Sequence, residues 1–401
     1  MSRSTSPKRP SARALVLAAI GAAAVVAVAV LLFTTLRRPD PRIAFTGLTD
    51  EQIEFAAGAI RSMESELPAG DIELNGDASA PADIVLAPLG RGLTASRGEL
   101  AAIPRENFEL LPSSVREVGR VGGTEKLLPV ALDHVEVLYR YGSFAERGAL
   151  VDGRIRSLEE LEAVARDLAE PGFFPIVVAG GEDAPLLDFV SVLTLSLGGV
   201  DAYRGLLEDV GQRGVAEDGA LFEGDLAGGL RLSDVAERLR AWRQSGILHP
   251  QWTQLGGDDV FAFAEAQRTA AVVMRLSEHR SWPVYALRRW RSSPFPYENP
   301  RAAGTGLVAP VYVAAVPADA PWREEALTMV PRFVEEEFQS DVVQAWRLAP
   351  TNSTAEALDR ESAEVRLWAA ASRDILPSLA DALPPETAAA LAEAVRGRVG
   401  R

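Results

Sequence analysis

The residues that could carry bond-breaking chemistry are few and scattered. His134, His249 and His279 are the only histidines, they stand far apart, and there is no cysteine. A zinc site would need carboxylates delivered by folding alone, because no two histidines share the spacing of a metal-binding helix. The missing thiols exclude disulfides, thiolate ligands, a cysteine nucleophile and the lipid-bearing cysteine of an exported lipoprotein. No glycine-rich phosphate loop and no nucleophile-elbow serine occurs. Asp133 and His134 make a poor acid–base pair, since neighbouring strand residues face opposite ways. Each histidine therefore reads as a surface or hydrogen-bonded residue, and no metal, cofactor or catalytic residue is expected. Recognition chemistry remains. A carboxylate such as Asp133 accepts strong hydrogen bonds from hydroxyls. Trp282 follows the polar turn Ser277-Glu278-His279-Arg280-Ser281; it either packs beneath a lobe or offers a flat ring to a sugar face.

The element that must position Asp133 is the stretch Leu127–Tyr141, LLPVALDHVEVLYRY. Pro129 cannot donate to a ladder and suits the first residue or edge of a strand. Beyond it, Val130, Leu132, His134, Glu136 and Leu138 fall on one face of a period-two pattern. Ala131, Asp133, Val135, Val137 and Tyr139 fall on the other. A long strand with apolar and polar residues on both faces suits a segment that leaves one sheet and enters another. Such a crossing is a hinge between lobes. Asp133 then points into the cleft, or else ends a strand as a solvated carboxylate; the expectation here is the cleft.

With 401 residues the chain can hold an anchor and two cores. Its net charge of −15 argues against nucleic acid as a partner. Residues 1–13 are basic, and Ala14–Phe33 carries no charge, long enough to cross a bilayer. The span 14–36 is thus predicted as a transmembrane anchor, with 1–13 a cytoplasmic tail and the remainder outside. A cleaved signal peptide is the competing reading. Cleavage after Ala27-Val28-Ala29 would leave Val30-Leu31-Leu32-Phe33 as a greasy end.

Ile43–Phe45, a helix from Thr49 or Asp50, Asp71–Leu74 and Ala82–Leu86 alternate as strand, helix, strand, strand. That order predicts a parallel α/β sheet whose ligands lie beyond the carboxyl ends of its strands, at Gly47-Leu48 and Pro88-Leu89-Gly90. Those same residues also read as plain turns. Ser157 with Glu160 forms a capping box for the next helix. Phe174–Val178 reads as a buried strand, and Asp188–Leu197 as an apolar helix closed by Gly198-Gly199. Asp258–Met274 reads as helix, turn and strand, Ser292–Gly306 as a turn region, and Leu307–Val313 as a strand. Trp322–Trp346, Ser362–Ile375 and Pro384–Val395 read as helices.

Five landmarks in this order resemble the family 1 extracellular solute-binding proteins of bacterial ABC importers, the maltose-binding-protein group. They are Gly122–Pro129 (GGTEKLLP), Val135–Gly148 (VEVLYRYGSFAERG), Arg156–Leu161 (RSLEEL), Phe263–Val272 (FAEAQRTAAV) followed by Trp282, and the segment Glu325–Asn352. Ala266, Arg268 and Arg140 depart from the family pattern, as does the missing export cysteine. The resemblance implies a two-lobed, periplasmic-binding-protein-like α/β fold of type II with hinge crossovers, preceded by one transmembrane helix. Residues 43–132 plus about 290–334 would form one lobe, and about 134–288 plus 338–401 the other. It implies a non-enzymatic protein at the bacterial inner membrane, with its binding domain in the periplasm or outside the cell. The protein would capture a small polar solute such as a sugar or oligosaccharide and pass it to ABC permease subunits. Asp133 would be an acidic ligand contact and Trp282 a stacking aromatic. Asp183–Asp188 matches a second ligand loop but brings no ring, so Asp188 alone is a candidate there.

The same cleft would serve a ligand-sensing ectodomain partnering a kinase or receptor. A membrane-anchored enzyme is the less favoured class. With aromatic residues at 7%, a degenerate binder that has lost its ligand is a further possibility.

Overall fold

In the computed structural model of the chain, the stretch from Leu127 to Tyr141 leaves one sheet and enters another. The described residues are 42–46, 48, 50–63, 74–75, 82–90, 99–215, 220–299, 301, 305–343, 345–357 and 359–400. The basic tail, the 14–36 anchor, Gly47 and Asp71 lie outside them.

The strands of the three main layers are, in chain order, β1 (Ile43–Phe45), β2 (Leu74–Asn75), β3 (Ile84–Pro88), β4 (Leu127–Leu132), β5 (Val135–Arg140) and β6 (Ile176–Val177). There follow β7 (Ala271–Arg275), β8 (Trp290–Pro294), β9 (Gly306–Val308), β10 (Val311–Ala315), β11 (Ala349–Pro350) and β12 (Asp374–Leu376). Six strands form a first sheet in the order β11-β4-β10-β3-β1-β2, and four form a second in the order β6-β7-β5-β8. β1 runs parallel to both β2 and β3, the arrangement expected when helix α1 (Asp50–Met63) carries the chain from β1 to β2. β9 and β12 pair in parallel on their own.

Only Asp133 and His134 separate β4 from β5, so the chain changes sheets within two residues. Pro129 is not at a strand end as expected. It is the third residue of β4, an inner strand, and is tolerated because the ladder with β10 is bulged there, the register shifting between Tyr312 and Val313. On the other side its carbonyl accepts from Thr351 Oγ1 at 2.9 Å.

Leu307–Val313 is likewise two strands rather than one. Pro310 has no N–H to continue a ladder, and the chain passes from β9 to β10 across Ala309-Pro310. The two crossings are tied together, since Asp133 N donates to Pro310 O at 2.8 Å. Ser292–Pro294, expected within a turn region, lies in β8, where pairing with β5 overrides weak local propensity. Asp374 and Ile375, expected as the end of a helix, instead open β12, since helix α6 (Arg360–Ala371) stops before them.

The remaining helices that matter are α2 (Leu158–Leu168), α3 (Asp183–Arg213), α4 (Gly257–Glu265), α5 (Leu276–His279), α6 (Arg360–Ala371), α7 (Leu379–Ala382) and α8 (Pro385–Gly400). Ser157 caps α2 by accepting from Glu160 N at 3.2 Å. α3 continues past the expected stop at Gly198-Gly199, kinking at Gly199 with φ 75°. It is long and apolar enough to cross a bilayer, yet 72% of that apolar window is buried, because it is the central helix of the second core. The polar turn expected at Ser277–Ser281 instead begins as α5.

Two apolar cores result. The first packs β1, β3, β4 and β10 with Phe333, Phe338, Trp346, Val365 and Trp368. The second packs β5 and β6 with α2, α3 and α8. Residues 338–369 thus sit with the first lobe, not the second as the sequence division placed them, residues 290–297 sit with the second and not the first, and the chain rejoins the second core at Leu376. The reason is that Phe338, Trp346 and Trp368 bury large rings in the core that β4 and β10 help to build. The lobes also touch beyond the crossings. Leu276 of α5 packs in the first core, and Arg280 Nη1 donates to Leu348 O at 2.9 Å.

Candidate functional site

Where the lobes meet, the cleft wall is built around Arg275, the last residue of β7. Its Nε donates to Asp188 Oδ2 at 2.6 Å and its Nη2 to Asp188 Oδ1 at 2.9 Å. The same Nη2 reaches Asp381 Oδ2 of α7 at 2.9 Å. Ser378 Oγ donates to Asp188 as well. Two residues on, Ser277 donates to Asp133 twice, from its backbone N at 3.0 Å and its Oγ at 2.7 Å. The first lobe closes on this cluster at the end of β3. A Cβ on Gly90, whose φ is 112°, would stand 2.6 Å from Asp381 O, so only glycine permits that approach.

Beside the cluster a cavity of about 360 Å³ opens on the second lobe. It lies at the carboxyl ends of the parallel strands β6 and β7, marked by Ala179 and Met274, where ligands of open α/β sheets bind. Trp282 and Phe261 form one wall, their ring centroids 5.2 Å apart and edge to face. Glu182, Asp258 and Glu278 supply carboxylates around it, and among the described residues no cation lines it. Glu182 Oε1 also accepts from Gly257 N at 2.7 Å, which fixes the start of α4 at the rim.

Neither a protein-family model nor a curated relative matches the sequence. Solved structures do match. A bacterial solute receptor, AcbH, described as having an exclusive preference for β-D-galactopyranose, superposes with a TM-score of 0.72 at 13% identity, covering 90% of this chain and 93% of that one. A binding protein, MsmE from Bacillus subtilis, in an open conformation gives 0.67 at 11% identity over 90% and 92%. Maltose-bound MalE3 of T. maritima gives 0.59 at 14% identity over 90% and 98%. The chain has the bacterial solute-binding-protein fold.

Within this solute-binding fold the predicted residues separate into two groups. Trp282 lines the cavity. Asp133 does turn to the lobe boundary, but it is 3% exposed and both its oxygens are engaged by Ser277, which makes it a clamp on α5 in this arrangement. Asp188 is 2% exposed and held by Arg275, not offered to a solute. Pro88 is buried, and Leu89 N is spent on Val311 O. Gly47 lies outside the described residues. Arg275, Asp381, Phe261, Glu182, Asp258 and Glu278 were missed. Arg275 had a signal, a lone charge closing the apolar run Ala271–Met274 at a strand's carboxyl end. The three carboxylates of the cavity had none, since they come from separate loops.

The cluster carries a pH signature. Burial, which outweighs Arg275 and the Ser277 hydrogen bonds, pushes the Asp133 carboxyl up to about 6, with Asp188 adding to the rise. Burial also raises Glu278 to about 7, aided by Asp188 and opposed by Arg275. An acid whose proton is held more tightly when folded stabilises the fold at low pH and loses that contribution as pH rises through its folded value. For Asp133 this loss is at most about 3 kcal/mol. His134 works the other way, because burial holds its imidazole down to about 4, so its contribution fades as pH falls from 6.5. Asp133→Asn is therefore expected to leave the opposing Glu278 and His134 trends nearly balanced. Urea denaturation between about pH 4.5 and pH 6 should show the parent losing stability as pH rises where the variant stays nearly flat. Parallel curves for the two proteins would refute the assignment.

Proposed function

We propose that the protein is an extracytoplasmic solute-binding protein that captures a sugar or oligosaccharide at the Trp282 cavity and delivers it to an ABC permease. The observation that supports this most directly is the pairing, in one cavity at the carboxyl ends of β6 and β7, of the Trp282 and Phe261 rings with three carboxylates. A pyranose presents C–H faces and hydroxyls together. The rings bury the former with little loss of rotamer freedom, and the carboxylates accept from the latter. Micromolar capture requires about 8 kcal/mol, within reach of one stacked ring and a few charge-assisted bonds. The sugar ligands named for AcbH and MalE3 agree with this reading.

Closure of the lobes at the Asp133–His134 crossing would bring the first lobe over the solute, favoured only by contacts made to both lobes at once. The apolar 14–36 segment would hold the domain at the outer face of the cytoplasmic membrane, beside its permease, raising their effective concentration.

A thermal-shift screen with mono- and oligosaccharides, amino acids and polyols tests the reading. A sugar present about a hundredfold above its Kd stabilises the native state by about 2.7 kcal/mol. Trp282→Ala is expected to abolish that shift while leaving the unliganded melting temperature within a few degrees, because Trp282 is only half-buried. Shifts from amino acids alone, or a sugar shift that survives Trp282→Ala, would reject it.

A further inference from the structure

The cavity beside Trp282 is charged on one side only. Its wall includes the acids Glu182, Asp258 and Glu278, and among the described residues no base. The bases behind that wall are already committed. Arg275, whose charge acts on Glu278, is held by Asp188 at 2.6 Å and by Asp381 at 2.9 Å. Arg396 reaches Gly181 O, next to Glu182, and pairs with Asp183 at 2.8 Å. The crowding of acids shows in Glu278 itself. Burial first, and then the charge of Asp188, push its carboxyl up to about 7, with Asp133 adding and Arg275 opposing.

An anionic solute finds no place here. The N-terminus of α4 would attract one, but Glu182 Oε1 already accepts from Gly257 N at 2.7 Å, and Asp259 Oδ2 from Gly256 N at 2.9 Å. A neutral sugar can donate hydroxyls to the carboxylates yet leaves the charge of the wall uncompensated. A cation does both. Glu278 accepts from Arg275 N at 3.4 Å, a long contact, and Asp258 accepts no hydrogen bond among the described residues, so both keep lone pairs for an incoming N–H. An ammonium brings three such donors, and its charge is also attracted to the faces of Trp282 and Phe261. The chain's net charge of −15 acts in the same direction at longer range.

We propose that this cavity selects a sugar bearing a protonated primary amine over the neutral sugar of the same shape. The proposal rests on the sugar reading above and adds the charge of the ligand to it. The pyranose ring stacks on Trp282, as a neutral sugar would, and the ammonium is held by the acids of the wall, Asp258 and Glu278 foremost. Hydrogen bonds between two charged groups are about twice as strong as those between neutral ones, so the amine decides the selection.

Calorimetric titration of the full chain at about pH 6, where such amines are protonated, tests the proposal. Glucosamine is compared with glucose, galactosamine with galactose, and fully deacetylated chitobiose with cellobiose, with putrescine as an amine that lacks a sugar ring. In at least one pair the amino member is expected to bind about tenfold more tightly than its neutral partner, and more tightly than putrescine. Added salt should narrow that gap. Asp258→Asn alters an exposed side chain, and Glu278→Gln keeps an acceptor for Arg275 N. Each is expected to cut the preference for the amino sugar about threefold, and the double variant to abolish it, with the neutral partner's affinity nearly unchanged. Neutral sugars that bind as tightly as their amino partners would overturn the proposal while leaving the sugar reading in place. Putrescine binding as tightly as every amino sugar, no binding by any compound of the set, or a preference that survives the double variant would overturn it too. The wider screen described above decides the sugar reading separately.

Discussion

Arg275→Met is expected to destabilise the protein by about 3–5 kcal/mol, because it strands two carboxylates that the fold has already removed from water. Arg275 is 14% exposed, Asp188 2% and Asp381 11% as side chains. With the guanidinium gone, Asp188 keeps Ser378 as its one side-chain donor among the described residues, and Asp381 loses its reach across to β7. The loss falls on the lobe boundary rather than on either core. Arg275 joins β7 to α3 and α7, and Gly90 of the first lobe leans on the α7 backbone. Calorimetric melting should therefore show a lower and broader transition, as the two lobes uncouple. Adding Asp188→Asn to Arg275→Met should recover part of the loss, since the remaining amide costs less to bury than a lone carboxylate. A double variant less stable than the single one would contradict this account. So would a single variant that melts like the parent.

His279→Ala is expected to cost a similar amount, about 3–5 kcal/mol, for the same reason in a deeper place. His279 Nδ1 donates to Glu136 Oε1 at 2.6 Å, with the two side chains 4% and 0% exposed. The second oxygen, Oε2, has no hydrogen-bond partner among the described residues, so the histidine is the carboxylate's main compensation. Burial works against the imidazolium, but the Glu136 charge and hydrogen bond prevail, with Glu361 and Asp359 adding, and the His279 pKa is raised. A histidine held more tightly protonated in the folded state contributes stability that is complete below 6.5 and lost as pH rises through its raised value. The deficit of His279→Ala should thus be largest near pH 6 and shrink toward alkaline pH. The double variant Glu136→Gln with His279→Gln should cost much less than His279→Ala alone, since no charge is then left buried. Denaturant midpoints for the three proteins across pH measure this. A deficit independent of pH would show that lost packing, not the ion pair, sets the cost.

These two ion pairs explain why so little of the site was legible in advance. The hinge was legible. A strand that carries Asp133 and His134 between two apolar runs has to change environment there, and the chain does change sheets between Leu132 and Val135. Trp282 was legible for a similar reason, as a large ring stranded after polar residues. By contrast, Asp188 reads in sequence as the polar start of an apolar helix, and nothing near it hints at Arg275, which is 87 residues away. Asp133 reads as an open acceptor, and only the placement of Ser277 beside it shows that its oxygens are occupied.

What the amino-acid order determined by itself is local and periodic. The alternation in Leu127–Tyr141, the buried run Ile84–Pro88 and the Ser157 cap follow from backbone geometry and burial over a few residues. The absence of thiols, the scattered histidines and the basic, then apolar, start of the chain are compositional facts. Tertiary structure alone decided the assignment of residues 338–369 to the first lobe, the division of Leu307–Val313 at Pro310, and the partners of every buried charge. Those outcomes depend on contacts between segments tens to hundreds of residues apart. Their energy is gained only after both segments have been brought together, and no local pattern records it.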